Sequence, residues 1–197
     1  MRVHLGAFDQ SVEGWVNTDI TPHLWIGKVP GLAWLMFKVG RMPRERYAQH
    51  REGVFSRLQY LDLTKKLPYA DNAIEAIFSS HVFEHLFMDE VERLVDECFR
   101  VLKPGGVVRV VVPDLEKIMK LYDANDPREF LASIYEVATR SAVKNSHHSG
   151  FTGAFISRLF QEAGFTKCSV LEYKSGQCPD LNKLDNRPDS LFFEAIK

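Results

Sequence analysis

The sequence predicts an α/β fold in which helices cover a mostly parallel β-sheet. The best evidence is the order of three patterns: a short apolar run at 76–80, helically spaced apolar residues over 88–102, and β-branched residues at 107–112. A strand, a helix and a strand that is buried on both faces form a parallel βαβ unit. A second observation is that further strand-like segments recur along the chain between turn residues.

The helix of this βαβ unit is expected to end at Lys103–Gly106. Glycine adopts the left-handed conformation that closes helices, and Pro104 cannot continue a helical turn. The buried strand is then expected to begin at Val107.

Five further segments have the composition of strands. They are 3–5, 14–20, 58–63, 168–173 and 191–196, which brings the predicted number to seven. Helices are predicted over 114–122, with Asp114 as the N-cap, and over 153–163, with Gly164 as the C-cap. No helical pattern separates the last two strands, so we expect them to pair antiparallel at an edge of the sheet.

The composition is that of a single α/β domain covering residues 1–197. An apolar content of 45% is enough for a packed core, and a net charge of −1 gives no general attraction to nucleic acid. Cys98, Cys168 and Cys178 form no C-x-x-C pair, which favours a reducing compartment. The chain opens directly into a strand rather than a signal peptide, and the apolar stretch 24–39 is too short and interrupted to span a bilayer. We therefore expect a cytoplasmic protein.

The stretch LPYADNAIEAIFSSHVFEHL, followed by RVLKPGGVVRVVVPDL, resembles the small "type 11" form of S-adenosylmethionine-dependent methyltransferases. In that family LPF-x-D-x-x-FD precedes a short strand, a V-L-E-H-like helix start follows, and R-V-L-K-P-G-G leads into the next strand. The resemblance implies a Rossmann-like three-layer sandwich. It further implies a seven-strand, mostly parallel sheet with a terminal antiparallel strand, and S-adenosyl-L-methionine as the cofactor.

The resemblance also implies a cofactor site at the carboxyl ends of the strands, where ligands of open α/β sheets bind. The implied cofactor-binding residues are Gly6, Ala7, Phe8, Asp19, Ile20, Asp62, Leu63, Ser79 and Ser80. In this arrangement Asp19 accepts the ribose hydroxyls and Asp62 the adenine amino group. From the residues alone, Asp19 could instead form an Asx-turn before Pro22, and Asp62 could cap the turn at Thr64.

The loop after the first strand departs from the family pattern. Ala7 and Phe8 stand where a second glycine is usual, and a Cβ and an aromatic ring there could narrow the pocket. About nine residues separate Leu5 from Trp15, so the usual first helix is expected to be a turn or two at most. The spacing from HLGAFD to GWVNTD resembles that of glycan-cluster relatives, which suggests a sugar acceptor.

Two groups of histidines are candidates for chemistry. His81-x-x-Glu84-His85 matches a zincin-like string and, with His147 or His148, could supply metal ligands. We expect instead that Glu84 and His85 cap and pack a helix start, so no metal site is predicted. His147 and His148 lie in a Ser/Gly segment on the implied substrate side, where an imidazole could act as a general base or lie in an exposed loop without a role. His81 is the remaining candidate for the catalytic base.

Residues 22–57 form an expected helical insertion after the second strand. Its first part is apolar and its second part is rich in arginine. Three functions remain open for it: a lid that supplies cations to an anionic substrate, a membrane-surface helix, or a helical hairpin packed on the sheet.

These observations predict an S-adenosylmethionine-dependent methyltransferase that methylates a hydroxyl oxygen of a small-molecule or glycan acceptor. The alternative is a methyltransferase-like binding module that has lost catalysis through Ala7 and Phe8. The single-glycine loop disfavours a nicotinamide oxidoreductase, and the lack of G-x-S-x-G and H-E-x-x-H strings disfavours a hydrolase. No nucleic-acid partner is expected, whereas weak contact with a membrane surface through 24–57 is an open expectation.

Overall fold

A computed structural model describes residues 1–135 and 146–197. Within these residues the chain forms a seven-stranded sheet with the order β3-β2-β1-β4-β5-β7-β6. The strands are β1 (Arg2–Leu5), β2 (Val16–Asp19), β3 (Gln59–Tyr60), β4 (Ile74–Ser80), β5 (Leu102–Val112), β6 (Lys167–Leu171) and β7 (Leu191–Ile196). The seven predicted strands are therefore all present, several of them shorter than the predicted segments.

The sheet is mostly parallel, as predicted. Strands β3, β2, β1, β4 and β5 pair parallel to one another, whereas β7 pairs antiparallel with both β5 and β6. This confirms a Rossmann-like α/β fold with a terminal antiparallel strand.

Eight α-helices connect the strands in the described residues. They are α1 (His23–Ile26), α2 (Leu32–Lys38), α3 (Arg44–Arg51), α4 (Met88–Val101), α5 (Leu115–Met119), α6 (Arg128–Tyr135), α7 (Gly153–Glu162) and α8 (Leu181–Leu184), with 3-10 turns at Val54–Arg57 and Phe83–His85. Asp114 caps α5, accepting from the backbone N–H groups of Glu116 and Lys117. Gly164, with a φ of 104°, follows α7 in the left-handed region, as predicted.

The prediction that no helix separates the last two strands was wrong. The short helix α8 lies between β6 and β7, and its Leu181 and Leu184 are buried against the sheet. Only two apolar positions of this one-turn helix face the core, so the segment carries too little periodicity to be recognised from sequence.

The Lys103–Gly106 turn was also assigned wrongly, because the helix before it has already ended. Helix α4 ends at Val101, and Leu102 is extended with φ −70° and ψ 140°. Leu102 pairs with Ile74, and the next pair in the ladder joins Val107 to Ala76. Residues 103–106 therefore bulge out of β5, and the φ of 77° at Gly105 permits the bulge.

The two faces of the sheet are covered unequally. Helices α4 and α7 pack on one face and form the larger core, in which Cys98 is buried. A smaller core on the other face contains Val12 and Trp15, from the loop after β1, together with Leu181 and Leu184. This second outer layer is thin, because the crossover from β1 to β2 is a loop and α8 is a single turn.

The insertion between β2 and β3 contains α1, α2, α3 and a 3-10 turn, and it has its own small core. Leu24, Phe55 and Leu58 are buried there together with Ala7, and Phe8 packs against them. The insertion is thus anchored on the loop that follows β1. No helix in the described residues is long and apolar enough to cross a membrane.

Candidate functional site

A cavity of about 760 Å³ lies at the carboxyl ends of β1, β2, β3 and β4. This is the position at which open α/β sheets bind their ligands. Of the predicted site residues, those that line the cavity are Gly6, Ala7, Phe8, Asp19, Ile20, Asp62, Leu63, Ser80 and His81. The predicted residues Ser79, His147 and His148 do not line it.

Gly6 is required by the backbone path at the end of β1. Its φ is 68°, a left-handed value that favours glycine. A Cβ at this position would overlap the Cγ2 methyl of Val82, which also lines the cavity. Glycine therefore lets the loop after β1 approach the turn after β4.

Ala7 and Phe8 have a packing reason for replacing glycine. Ala7 is buried in the core of the insertion, and the Phe8 ring lies 5.9 Å from the Phe55 ring. The Arg46 guanidinium lies over the other ring surface of Phe8, 4.5 Å from its centroid. The φ of 43° at Phe8 is unusual for a residue with a side chain, and these contacts hold it. The cavity stays open with both residues in its wall.

Asp19 braces the loop and faces the cavity at the same time. Its Oδ2 accepts a hydrogen bond from the backbone N–H of Phe8 at 3.0 Å, and its Oδ1 accepts one from the N–H of Thr21 at 2.6 Å. Burial raises the pKa of the Asp19 carboxyl. Since each carboxylate oxygen has two lone pairs, the turn contacts leave acceptor capacity for a ligand.

Asp62 caps the turn at Thr64, which is the alternative to ligand binding that the sequence left open. Its Oδ1 accepts hydrogen bonds from the backbone N–H and the hydroxyl of Thr64, at 3.0 and 2.7 Å. The hydroxyl bond is the main cause that lowers the pKa of Asp62, and Lys65, 3.2 Å from Oδ2, adds to it. Asp62 still lines the cavity, so the capping contact fixes its direction.

The two serines at the end of β4 differ in exposure. Ser80 lines the cavity, whereas Ser79 is fully buried, and its hydroxyl has no hydrogen-bond partner among the described residues. The alternation of side chains along a strand explains why only one of two neighbours faces the cavity.

His81 lies between two cavities. It lines the 760 Å³ cavity and also a neighbouring cavity of about 550 Å³, and Asn186 and Arg187 line both as well. Its Nε2 lies 2.9 Å from the Ser190 hydroxyl, and its Nδ1 lies 3.0 Å from a carboxylate oxygen of Glu84. The φ of 54° at His81 turns the chain sharply after β4 and places the ring at this boundary.

His147 and His148 line a separate and smaller cavity. They line a cavity of about 290 Å³ together with Pro113, which follows β5. The His148 ring is exposed and stacks on Phe87, with 4.4 Å between ring centroids. The backbone N–H of His148 donates to the carbonyl of Glu84 at 2.7 Å, so this segment is held on the turn after β4.

Glu84, His85 and His147 form a group whose ligand atoms all lie within 4.8 Å of one another. Glu84 is 1% exposed, and neither of its carboxylate oxygens accepts an aligned hydrogen bond from any residue that the structure describes. The His81 contact is at ion-pair distance but is not in hydrogen-bond alignment. Two imidazoles and a carboxylate are ligands that zinc and related divalent transition metals accept. The predicted absence of a metal therefore stays a prediction.

The sequence analysis missed the residues that close the cleft from the far end of the chain. Ser190, Asn186 and Arg187 come from the segment between α8 and β7, and 109 residues separate His81 from Ser190. No local pattern marks them. They reach the site because β7 inserts between β5 and β6.

Comparisons with known proteins agree with this geometry. A family model described as a methyltransferase domain matches residues 40–110, which include β3, β4, α4 and the start of β5. An uncharacterised protein of Saccharomyces cerevisiae is 28% identical over 68% of this chain and 17% of its own length. A probable S-adenosylmethionine-dependent methyltransferase of Mycolicibacterium smegmatis is 41% identical over 25% of this chain and 18% of its own length. The chain thus spans less than a fifth of the curated relatives that it matches.

Solved structures extend the likeness to the whole fold. An S-adenosylmethionine-dependent methyltransferase from Archaeoglobus fulgidus superposes with a TM-score of 0.58 at 13% identity, covering 100% of this chain and 85% of that one. One from Mesorhizobium loti superposes with a TM-score of 0.54 at 17% identity, covering 100% and 90%. At these identities the likeness shows the fold.

The strand order and the superpositions show that the chain has the fold that Rossmann-like methyltransferases share. Within that fold, residues 40–110 are similar to the methyltransferase domain family, as the resemblance in the sequence implies. Family and fold together imply S-adenosyl-L-methionine as the cofactor.

Proposed function

We propose that this protein transfers the methyl group of S-adenosylmethionine to a hydroxyl oxygen of a small-molecule or glycan acceptor. The observation that carries the proposal is the position of His81, which lines both the cavity at the ends of β1–β4 and a second, smaller cavity beside it. One cavity suits the cofactor and the other the acceptor, with a titratable nitrogen between them.

The residues of the larger cavity fit the cofactor. The backbone at Gly6 offers the close approach that the methionine part needs, since a Cβ there would collide with Val82. Asp19 would accept the ribose hydroxyls and Asp62 the adenine amino group, and both carboxylates are already oriented by backbone hydrogen bonds. When bound, the cofactor supplies an electrophilic methyl group on a sulfonium centre.

The smaller of the two cavities would hold the acceptor. Seven of the eleven residues that line it are polar or charged, among them Asp114, Lys117, Asn186 and Arg187, and apolar residues such as Ile118 and Leu121 form the rest of the wall. Such a wall suits a sugar or another polyhydroxyl molecule better than an apolar one. This supports a polar acceptor with several hydroxyl groups.

His81 would act as the general base. Glu84, 3.0 Å from Nδ1, favours the tautomer that carries the proton on that nitrogen and leaves Nε2 as the acceptor. The Ser190 hydroxyl 2.9 Å from Nε2 marks the direction from which an acceptor hydroxyl would approach. The hydroxyl proton would pass to Nε2 while the new O–C bond forms and the S–C bond of the sulfonium breaks.

His147 and His148 are the second choice for this function. Their cavity also lies beyond β5, but its wall includes Ile118, Ile134 and Tyr135 and it does not include any of the cofactor-side residues named above. A base there would have to act on an acceptor that reaches into both cavities.

The experiment follows label from methyl-labelled S-adenosylmethionine into panels of monosaccharides, polyols and phenols. His81→Gln is expected to lower turnover by about a hundredfold or more, the usual range for a general base, while the affinity for S-adenosylhomocysteine stays unchanged. A larger loss in His148→Gln than in His81→Gln would move the base to the other cavity. Tight binding of S-adenosylhomocysteine without transfer to any acceptor class would instead favour the binding module without catalysis.

A further inference from the structure

The insertion presents a surface of large apolar side chains that the rest of the protein does not cover. We call it the aromatic–basic face. Its apolar members are Trp25, Val29, Trp34, Leu35 and Val39, each between 51 and 60% exposed. Six of the seven residues of α2 are apolar, yet none of them is buried. Large apolar side chains that are exposed this close together along the chain indicate a site of interaction.

The segment that carries these side chains is positively charged. Residues 20–44 contain Lys28, Lys38, Arg41 and Arg44 but no Asp or Glu, although the whole chain has a net charge of −1. The Nζ of Lys28 lies 4.4 Å from the centroid of the Trp25 ring, and the Nζ of Lys38 lies 5.9 Å from that of Trp34. The cations therefore lie beside the exposed indoles and not on the opposite side of the helices.

We propose that the aromatic–basic face docks on the surface of an anionic lipid bilayer. Tryptophan is stable at the level of the lipid headgroups, because its ring is apolar and its indole N–H is polar. Lysine and arginine beside it would contact lipid phosphates while their alkyl chains stay on the apolar surface. Helix α2 is roughly 10 Å long at 1.5 Å per residue, so it would lie in the interface rather than cross it.

Charge decides between a bilayer and the other occupants of an apolar face. A second copy of this chain, docked through the same face, would bring Lys28 and Lys38 close to their counterparts, and residues 20–44 contain no acidic residue to offset that charge. Closure of the insertion over the cleft would not explain the exposed indoles, because Trp25 and Trp34 belong neither to the insertion core nor to the lining of the larger cavity. An anionic bilayer satisfies both the apolar and the cationic part of the face.

Docking would also orient the cleft. The Tyr60 ring, which is 51% exposed, lies 6.2 Å from the Trp25 ring, and Ile20, 59% exposed, lines the larger cavity. The rim of the cavity and the aromatic–basic face are therefore neighbours. If the proposed function holds, the acceptor hydroxyl would be one that is carried by, or released at, a membrane; the docking itself does not depend on that function.

The test is co-sedimentation of the protein with vesicles, without cofactor. We expect binding to phosphatidylcholine vesicles that contain about a third phosphatidylglycerol, weaker binding as salt rises, and little binding to phosphatidylcholine alone. Lys28→Glu/Lys38→Glu and Trp25→Ser/Trp34→Ser should each weaken the binding by about tenfold or more. The matched control is Lys174→Glu/Lys183→Glu, which changes net charge equally at exposed lysines elsewhere and should weaken binding much less.

Several outcomes would overturn the proposal. Equal losses in the two lysine double variants would mean that net charge, not this face, attracts the protein to lipid. Absence of binding at low salt, or dimerisation that Trp34→Ser abolishes, would assign the face to another occupant. Because both tryptophans are half exposed, the thermal midpoints of the variants should stay near that of the parent, and methyl transfer to a water-soluble acceptor, if found, should persist in them.

Discussion

The two halves of the cleft are built in different ways. On the cofactor side the groups come from β1, β2 and β3 within a few residues of each strand end, and short-range hydrogen bonds such as those of Asp19 and Asp62 hold them. On the acceptor side one part of the wall follows β5, from Pro113 to Leu121. The other part is the segment between α8 and β7, which meets His81 only through the sheet topology.

A buried charged network holds that acceptor wall. Arg109, fully buried in β5, donates to Asp185 at 2.5 Å, lies 3.4 Å from Glu194 and donates to the carbonyl of Ser175 at 2.8 Å. The Glu194 carboxylate in turn accepts from the backbone N–H groups of Gln177 and Cys178. The difference teaches that the cofactor side rests on local backbone geometry, while the acceptor side depends on long-range ion pairing.

The largest effect is expected from breaking that network. Arg109→Leu leaves Asp185 and Glu194 buried without their cation, which should lower the free energy of unfolding by about 3–5 kcal/mol. Urea denaturation measures the loss. Arg158→Leu, which removes an exposed ion pair to Glu162 on α7, is the control and should change stability by less than about 1 kcal/mol. If the two variants lose similar free energies of unfolding, the buried network stabilises the protein no more than an exposed ion pair does.

The cofactor side should respond to pH through His4. This histidine lies in the cavity wall, and burial lowers its pKa to about 4, a shift that the side-chain hydrogen bond to Asn17 partly offsets. Because the folded protein holds this ring neutral, its contribution to the free energy of unfolding is fully present above pH 6.5. As the pH falls from 6.5 to 4, the unfolded chain binds the proton first, and the free energy of unfolding drops by about 3 kcal/mol. The difference between parent and His4→Leu in urea denaturation at several pH values measures it. A difference that does not change with pH would contradict the buried neutral state of His4.

A smaller effect is expected from Gly6→Ala. The left-handed φ and the overlap with Val82 should together destabilise the protein by about 2–3 kcal/mol. Adding Val82→Ala removes the overlap but not the backbone strain, so it should restore part of the loss. Complete restoration, or no restoration, would show that one of the two causes acts alone. Thermal unfolding of the single and double variants separates them.

A metal held by the Glu84 group would lie outside the acceptor cavity, because Glu84 and His147 line the 290 Å³ cavity and His85 lines the cofactor cavity. Micromolar binding of Zn²⁺ or Mn²⁺ by Glu84, His85 and His147 would stabilise the protein by about 1–3 kcal/mol at saturating metal. Thermal unfolding with and without metal, and after chelation, measures the effect in the parent and in Glu84→Gln. If metal still raises the thermal midpoint of Glu84→Gln, the ion binds elsewhere. If metal does not raise the midpoint of the parent, Glu84 binds no metal and its remaining role is to orient His81.

The difference between the halves explains what could be predicted from the sequence. The β4–α4–β5 unit, the Asp114 cap and the position of Asp19 follow from local periodicity and turn chemistry, and the structure has them. The bulge at 103–106 was missed because Leu102 already pairs with Ile74 in the sheet, although the Lys-Pro-Gly-Gly turn suggested a helix end. Helix α8 was missed because only Leu181 and Leu184 face the core, too few to form a helical pattern. Ser190 could not be found, since only the insertion of β7 beside β5 brings it to His81.

The central claim is that the cleft at the ends of β1–β4 binds the cofactor through Asp19. Calorimetric titration with S-adenosylhomocysteine tests it most directly, in the parent, in Asp19→Asn and in the exposed control Asp89→Asn. Replacing a charged acceptor should weaken binding by about 1.5–3 kcal/mol, or roughly ten- to hundredfold, while Asp89→Asn binds like the parent. No binding by the parent at millimolar ligand, or equal affinity in Asp19→Asn, would contradict the claim.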